Sequence, residues 1–386
     1  MEERVEMGRI RDELERVTLL EEISWRQKSR ALCIREGDGN TKFFHRIANS
    51  HRRVNSIDRL MVDGVLSLDP AAIADCVSQF YRRLYSEDMA HKPVLDDVDF
   101  SSISVEDASW LDRPFEEEEV FGVITDFNGD KAPSPDDFSM AFFQSCWGVL
   151  KTEIMVVFHN FHTQAVFEKS LNALFLTLIP KKVDVVEVKD FRPISLVGGI
   201  YKIISKVLAN QLRRVVHGII SDSQNAFVKG RQILDSVMIA SKCIDSRLKS
   251  GIPGVLCKLD VGKAYDHVRW DFLMYMLQRC SFLEKWRKWI RYCISTVKFS
   301  ILINGSPSDF FESSRGLRHL SDHLSPLLFD IVMEALSRML DVAASAGQLS
   351  SFSVGSTAGP LVIVYHLLFA NDTLIFCDAK LLKLLI

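Results

Sequence analysis

Two stretches decide the fold: Lys258-Leu259-Asp260-Val261-Gly262-Lys263-Ala264-Tyr265-Asp266 and, further along the chain, Phe369-Ala370-Asn371-Asp372. Each is a short apolar run that ends in side-chain oxygen. A buried strand that delivers Asp260 to its tip offers a hard oxygen ligand of the kind Mg²⁺ takes. Two such tips side by side can hold a pair of cations, the arrangement that drives in-line displacement at phosphorus. The second tip reads Asn-Asp where two carboxylates are expected, so the same residues point to a phosphoryl-transfer site and to a damaged one. A blander reading stays open for both. Asp260 alone suits a solvated surface acid, and Asn371-Asp372 suits a type I′ turn.

The 386 residues suffice for two or three domains and a sizeable core. With 47% hydrophobic and 25% charged residues the composition is ordinary for a globular protein. A net charge of −3 excludes a global basic field. Locally the balance shifts. From Arg26 to Arg59 there are nine Lys or Arg against three acids, whereas Asp96 to Glu119 is strongly acidic. Such asymmetry marks a candidate polyanion-binding face. The eight cysteines show neither C-x-x-C nor Cys/His ligand spacing, which argues against a disulfide framework or a zinc site and for a reducing compartment. No run reaches the roughly 18 apolar residues of a membrane span, and Met1-Glu2-Glu3-Arg4 is too charged to begin a signal peptide. The expectation is a soluble, intracellular protein without membrane partners, nucleus and cytoplasm not being distinguished.

Periodicity predicts a helix over 1–30, a turn at Gly37-Asp38-Gly39-Asn40, a helix from near Lys42, and a hairpin around Asp63-Gly64. Helices are expected at 69–86, 115–127 and 138–166, with a proline-forced loop over 130–137 between the last two. A strand at Leu174–Pro180 precedes helices over 199–215 and 232–248. From Pro253 the grammar becomes mixed. Strands are expected at Val255–Asp260, Phe299–Asn304, Asp309–Ser313, Leu361–Phe369 and Leu374–Cys377, and helices at Trp270–Gln278, Glu284–Cys293 and Leu324–Leu340. The pattern divides the chain into a basic helical extension with a hairpin (1–66), a mostly helical region (67–252) and an α+β region with both acidic tips on adjacent strands (253–386).

Several segments, in order, resemble the reverse transcriptases of non-LTR retrotransposons, specifically the LINE-type elements abundant in plant genomes. They are Trp25–Arg30 with Gly37–His45, Asp130–Asp136, Ile179–Lys182 with Asp190–Leu196, Ser223–Phe227 with Gly230–Ile233, and the two opening stretches. The resemblance implies the fingers and palm of a right-hand polymerase, with an antiparallel palm sheet, packed helices and a missing thumb. It implies RNA-directed DNA synthesis, in which two Mg²⁺ drive addition of deoxynucleotides to a DNA primer on an RNA template. By resemblance Asp260, Asp372 and the 371 position are catalytic, and Asp260, Asp372 and the Val261 carbonyl are metal ligands. Lys181, Arg192 and Tyr265 would hold the nucleotide, Tyr265 as a gate against a ribose 2′-oxygen. Plain readings remain beside these: solvated cations for Lys181 and Arg192, a packing aromatic for Tyr265. Asp266 is expected to be a helix N-terminal acid. Arg26, Lys28, Arg30, Lys42, Arg52, Arg53, Arg231 and Gln232 are candidates for nucleic-acid contact, the alternative for the first six being a solvated basic helix over buried Phe43 and Phe44.

The sequence departs from the family in places that matter. Asn371 replaces an acid, and the stretch Arg315–Pro326 carries His319-Leu320 in place of Gln-Gly together with one extra residue. Ser134 and Asp137 stand where glycines are usual. The chain is expected to be truncated, lacking a thumb and an endonuclease. These features predict an inactive or very weak copy. The alternatives are a non-catalytic RNA-binding remnant and the product of a decaying element with no role.

Overall fold

The computed structural model of the chain describes residues 2–29, 41–87, 95–318, 322–349, 351–354 and 362–379. Two helices open it, α1 (Glu2–Ser29) and α2 (Thr41–Asn55), followed by the hairpin β1 (Leu60–Val62) and β2 (Val65–Ser67). Its turn is Asp63-Gly64, both at positive φ as a two-residue hairpin of primed type requires. Then come α3 (Pro70–Leu84), α4 (Val105–Leu111), α5 (Glu117–Thr125), α6 (Met140–Ser145) and α7 (Trp147–Gln164). Helix α3 starts cleanly because Asp69 accepts hydrogen bonds from the Ala71 and Ala72 amides and Pro70 fills the first helical position. The helical pattern over 138–166 resolves into two helices that break at Cys146, and α4 is a helix the pattern did not announce.

The second half runs β3 (Ala173–Pro180), β4 (Phe191–Val197), α8 (Gly199–Val215), α9 (Ile233–Ser250), β5 (Gly254–Asp260), α10 (Trp270–Arg279) and α11 (Glu284–Ser295). It continues with β6 (Lys298–Ile303), β7 (Ser306–Pro307), β8 (Phe311–Glu312), α12 (Ser325–Ser345), β9 (Phe352–Val354), β10 (Val362–Val364), β11 (His366–Phe369) and β12 (Asp372–Asp378). Strand β4 was hidden by Pro193. A proline is tolerated there because β4 is the outer strand of its sheet.

Two sheets matter for function. In the first, β3 pairs antiparallel with β4 and parallel with β6, which also pairs with β7 and β8. The strands around Gly305-Ser306-Pro307 therefore pair as expected, but on the sheet of β3 rather than beside β5. The second sheet is antiparallel, in the order β11-β12-β5. The expected strand over 361–369 is bent at Tyr365, so that β10 leaves to pair with β9.

The main core lies around α8, α12 and the β3–β6 pair, with Trp286, Trp289, Tyr201, Phe158 and Phe161 fully buried. Strand β5 is different. A buried strand was expected, yet Leu256 and Leu259 are 42% and 40% exposed, because β5 is the outermost strand of the second sheet. No helix among the described residues is long and apolar enough to cross a membrane.

Candidate active site

Asp260 ends β5 and Asp372 begins β12, and the two are directly opposed in the antiparallel register. Side chains so opposed lie on the same face with Cβ atoms roughly 4.5–5.5 Å apart. The two acids thus converge as the sequence pattern requires. The hairpin that presents them turns at Ala370-Asn371, not at Asn371-Asp372, since Phe369 pairs with Asp372. Only Ala370 takes positive φ (+54°), the sign pattern of a type II′ rather than a type I′ turn. The type I′ reading is thereby corrected: Asp372 is the first residue of a strand.

Asn371 sits over the tip of β5. Its Nδ2 donates to Asp260 Oδ1 at 3.1 Å and to the Val261 carbonyl at 3.4 Å. An amide proton therefore points at both oxygens that a cation would need. Lys258, on the same strand face as Asp260, pairs with Asp372 Oδ1 at 3.1 Å. Sequence reasoning passed over Lys258, although the two-residue strand period places it beside Asp260. The donor set (two carboxylates, a backbone carbonyl and, after rotation of its amide, the Asn371 oxygen) is all hard oxygen and suits a divalent cation. It carries one anion fewer than a three-carboxylate site. Among the described residues no cluster of three or more His, Cys, Asp or Glu is placed to hold a metal.

The loop after β5 is tightly built. Lys263 takes φ +53°, and Tyr265 stacks on Phe329 of α12 with centroids 4.3 Å apart and planes 14° apart. Burial, reinforced by the neighbouring Asp330, pushes the Tyr265 phenol well above its ordinary range. Asp330 is itself buried on α12, its carboxylate oxygens lack a hydrogen-bond partner among the described residues, and burial drives its pKa far up. It was missed because an acid inside an apolar helix pattern looks like a surface position. Asp266 is not a helix N-terminal acid: α10 begins four residues later, and Asp266 is buried, accepting the Tyr85 hydroxyl at 2.8 Å. Burial also lowers the Lys263 pKa, with Asp266 opposing and Lys181 adding to the shift, so Lys181 lies within electrostatic reach of this loop.

Lys181 follows β3 and donates to the Lys189 carbonyl at 3.0 Å. Arg192 is exposed on β4, opposite Ile179. The Ser223-Gln224-Asn225 segment extends the second sheet past β11. Leu368 N donates to Ser223 O at 2.7 Å, Asn225 N to Leu368 O at 3.0 Å, and Gln224 Oε1 accepts from Ala370 N at 3.1 Å. Gln224 thus clasps the turn that carries Asn371. Arg231 serves the same loop, donating to the carbonyls of Ile220, Ser221 and Gln224 and to Asp222 Oδ1. Gln232 precedes α9, its amide donating to Asp235 Oδ2 at 2.8 Å.

One of the altered motif positions has a structural answer. Asp137 adopts φ +63°, the conformation a glycine takes freely and an L side chain only at a cost of about 1–2 kcal/mol. Asp136 accepts the Gly199 amide at 2.6 Å and so caps α8. Arg318 is buried, its guanidinium 3.7 Å from the Tyr201 ring centre and hydrogen-bonded to Asn172. His319 and Leu320 lie outside the described residues.

On the basic segment Lys28 lies over Trp25, whose ring stacks on His45 at 3.5 Å. Lys42, Arg52 and Arg53 are exposed on α2, Phe44 is buried and Phe43 half-buried. The Arg26 side chain, Arg30 and the turn at 37–40 lie outside the described residues.

An acid pair across a strand junction, a loop with Lys263 at positive φ after it and a clasped turn make up the candidate site. Residues 179–383, just over half of the chain, match the family model described as reverse transcriptase (RNA-dependent DNA polymerase). The chain belongs to that family. It is 27% identical over 335 residues to an uncharacterized 149 kDa protein of transposon TX1 from Xenopus laevis, covering 83% of this chain and 25% of that protein. It is 27% identical over 205 residues to the Pol polyprotein of type-1 retrotransposable element R2 from Nasonia vitripennis, covering 53% of this chain and 18% of that one. A 72-residue segment is 40% identical to an uncharacterized mitochondrial protein of Arabidopsis thaliana, covering 19% of this chain and 56% of that protein. The chain thus spans a quarter or less of the two transposon proteins.

Proposed function

We propose that this chain is the reverse transcriptase domain of a non-LTR retrotransposon protein, of a plant LINE-type element, and that this copy is inactive or very weak. The similarity to the TX1 and R2 proteins supports the element class. The short Arabidopsis match and the motif set support the plant origin. The ancestral reaction is addition of deoxynucleotides to a DNA primer on an RNA template. Residues 253–386 would form most of the palm, 67–252 the linker and fingers, and 1–66 a basic extension.

Asp260, Asp372 and the Val261 carbonyl would hold the divalent cations, Mg²⁺ in the ancestral enzyme. When bound, such cations supply a more acidic primer hydroxyl and offset charge developing at phosphorus. Lys181 and Arg192 would hold the triphosphate, Arg192 through a two-pronged contact. The stacked Tyr265 ring would crowd a ribose 2′-oxygen. Lys28, Lys42, Arg52 and Arg53, with Arg26, Arg30 and Gln232, would face nucleic acid, the exposed cations neutralising phosphates, whereas Arg231, expected to do the same, spends its guanidinium on the 220–224 loop.

The observation that carries the loss of activity is the Asn371 amide donating to Asp260 Oδ1. A neutral amide replaces an anion and its protons occupy the ligand face. Metal charge stabilisation contributes several kcal/mol in such sites, and each ~1.4 kcal/mol is tenfold in rate. Primer extension on an RNA template with Mg²⁺ tests this. The natural sequence is expected to fall decades below Asn371→Asp, which itself gains only in part because the Arg315–Pro326 stretch stays altered. Robust synthesis by the natural sequence would overturn the proposal.

A second reading, RNA binding without catalysis, is favoured by the exposed Arg52 and Arg53 in the last turn of α2. It requires RNA affinity that falls steeply with salt and does not depend on metal.

A further inference from the structure

The polypeptide just after α3 lies in the crook between two segments that belong to the candidate active site. Tyr85 is the centre of it. Its hydroxyl donates to Asp266 Oδ1 at 2.8 Å, and its ring stacks on Phe299 of β6 at 4.7 Å. Its carbonyl accepts the Ser314 amide at 2.9 Å and the Arg315 amide at 3.3 Å, while Arg315 Nε donates to the Leu84 carbonyl at 2.8 Å. Two residues on, Glu87 pairs with Arg269, and its backbone amide donates to Ser314 Oγ at 2.6 Å.

The two segments so gripped also bind each other. Gly316 N donates to Val268 O and Leu317 N to Tyr265 O, both at 2.8 Å, and the Trp270 indole donates to Gly316 O at 2.8 Å. Gly316 permits this approach: it takes φ +96°, and a Cβ there would meet the Tyr85 ring at 2.9 Å and the Asp266 carbonyl at 3.1 Å. On the other side, Asp266 N donates to Lys263 O at 2.9 Å, closing the turn that follows Val261. A continuous set of hydrogen bonds therefore runs from Tyr85 through Asp266 to the turn beside Asp260.

We propose that Tyr85 is a positioning residue: through Asp266 it fixes the 261–266 loop against the 314–317 segment, so that the segment after α3, outside the family match at 179–383, is part of the active-site scaffold. This rests on the polymerase reading only in what the loop is for. The linkage itself can be tested without any synthesis.

Hydrogen–deuterium exchange on the full chain reads it directly. Tyr85→Phe keeps the ring on Phe299 but removes one hydrogen bond to a buried carboxylate. A lost partner of that kind corresponds to roughly tenfold or more in a local opening equilibrium. Amides of 263–268 and 314–317 are expected to exchange faster by about that factor, with α7 and α11 unchanged. Adding Asp266→Asn removes the charge whose burial the phenol eases, so Tyr85→Phe with Asp266→Asn is expected to recover slow exchange in those segments. Asp266→Asn alone, which keeps an acceptor for the phenol, should change little. Equal acceleration across the whole chain would mean that Tyr85 only holds the fold. Unchanged exchange at 263–268, or a double variant no better than Tyr85→Phe, would overturn the linkage. Primer extension, by contrast, bears on the polymerase reading and leaves this result standing.

Discussion

The β3–β6 pair and strand β5 hold their side chains under opposite conditions. In the β3–β6 pair, Leu174, Leu176 and Ile301 are completely buried, and each position is set by the shape of its neighbours. On β5 the run from Leu256 to Asp260 is exposed, and its residues answer to chemistry rather than packing. A change in the first sheet is resisted by the fold. A change at the tip of the second is not: Asn371, standing where the family resemblance implies an acid, finds two hydrogen-bond acceptors. Retention of this fold therefore carries no information about retention of catalysis, because different residues hold each.

The largest expected effect breaks that comparison at its strongest point. Ile301→Ala on β6 removes a fully buried side chain and should cost about 2–5 kcal/mol. Leu259→Ala on β5 makes a similar truncation where the side chain is already 40% exposed, and should cost under about 1 kcal/mol. Urea denaturation of both variants checks it. Comparable losses would mean that β5 is packed in a way its exposure does not show.

A smaller effect lies in the buried layer that leads into α12. Burial, with Lys206, Arg213 and Lys202 nearby, lowers the His323 pKa from 6.5 to about 4 against the opposing pull of Asp322. The unfolded chain takes up a proton as pH falls through about 6.5, and the folded chain does so only near 4. Between those values the unfolded state binds more protons, so stability falls with falling pH in that window. His323→Gln should flatten the dependence of Tm on pH between 6.5 and 4 relative to the natural chain. An identical slope in the two proteins would show that His323 does not contribute.

Much of this was legible in the sequence, and the failures have physical causes. The helices over 199–215 and 232–248 and the strand at Val255–Asp260 declared themselves through periodicity, whereas the register that sets Asp260 against Asp372 did not, since the pattern puts Asp372 in the turn. Strand β4 did not, because Pro193 reads as a breaker unless the strand is known to be an outer one. The turn type at Ala370-Asn371 was misplaced by one residue, since Asn and Asp suit several turn positions equally. The roles of Tyr85, Gln224 and Asp330 come from contacts between distant parts of the chain, which no local pattern encodes. Asp266 shows the same limit: its spacing before Trp270 suits a helix cap, yet the phenol of a residue far upstream decides its place.

The smallest effect concerns Lys258 and sharpens the comparison at the exposed end. Its pair with Asp372 spans 3.1 Å, but the side chains are 64% and 49% exposed. An ion pair so open to water contributes about 0–1 kcal/mol, so Lys258→Met should leave the urea midpoint nearly unchanged. The charge still matters to a cation approaching Asp372. A unit charge some 4 Å away in water opposes it by about 1 kcal/mol, which bounds the gain in Mn²⁺ affinity on removing it at roughly fivefold. Titration with Mn²⁺ at low salt, repeated at high salt where screening shrinks the difference, separates this from a packing effect. A stability loss without any gain in Mn²⁺ affinity would mean that Lys258 supports the strand rather than opposing a cation at its tip.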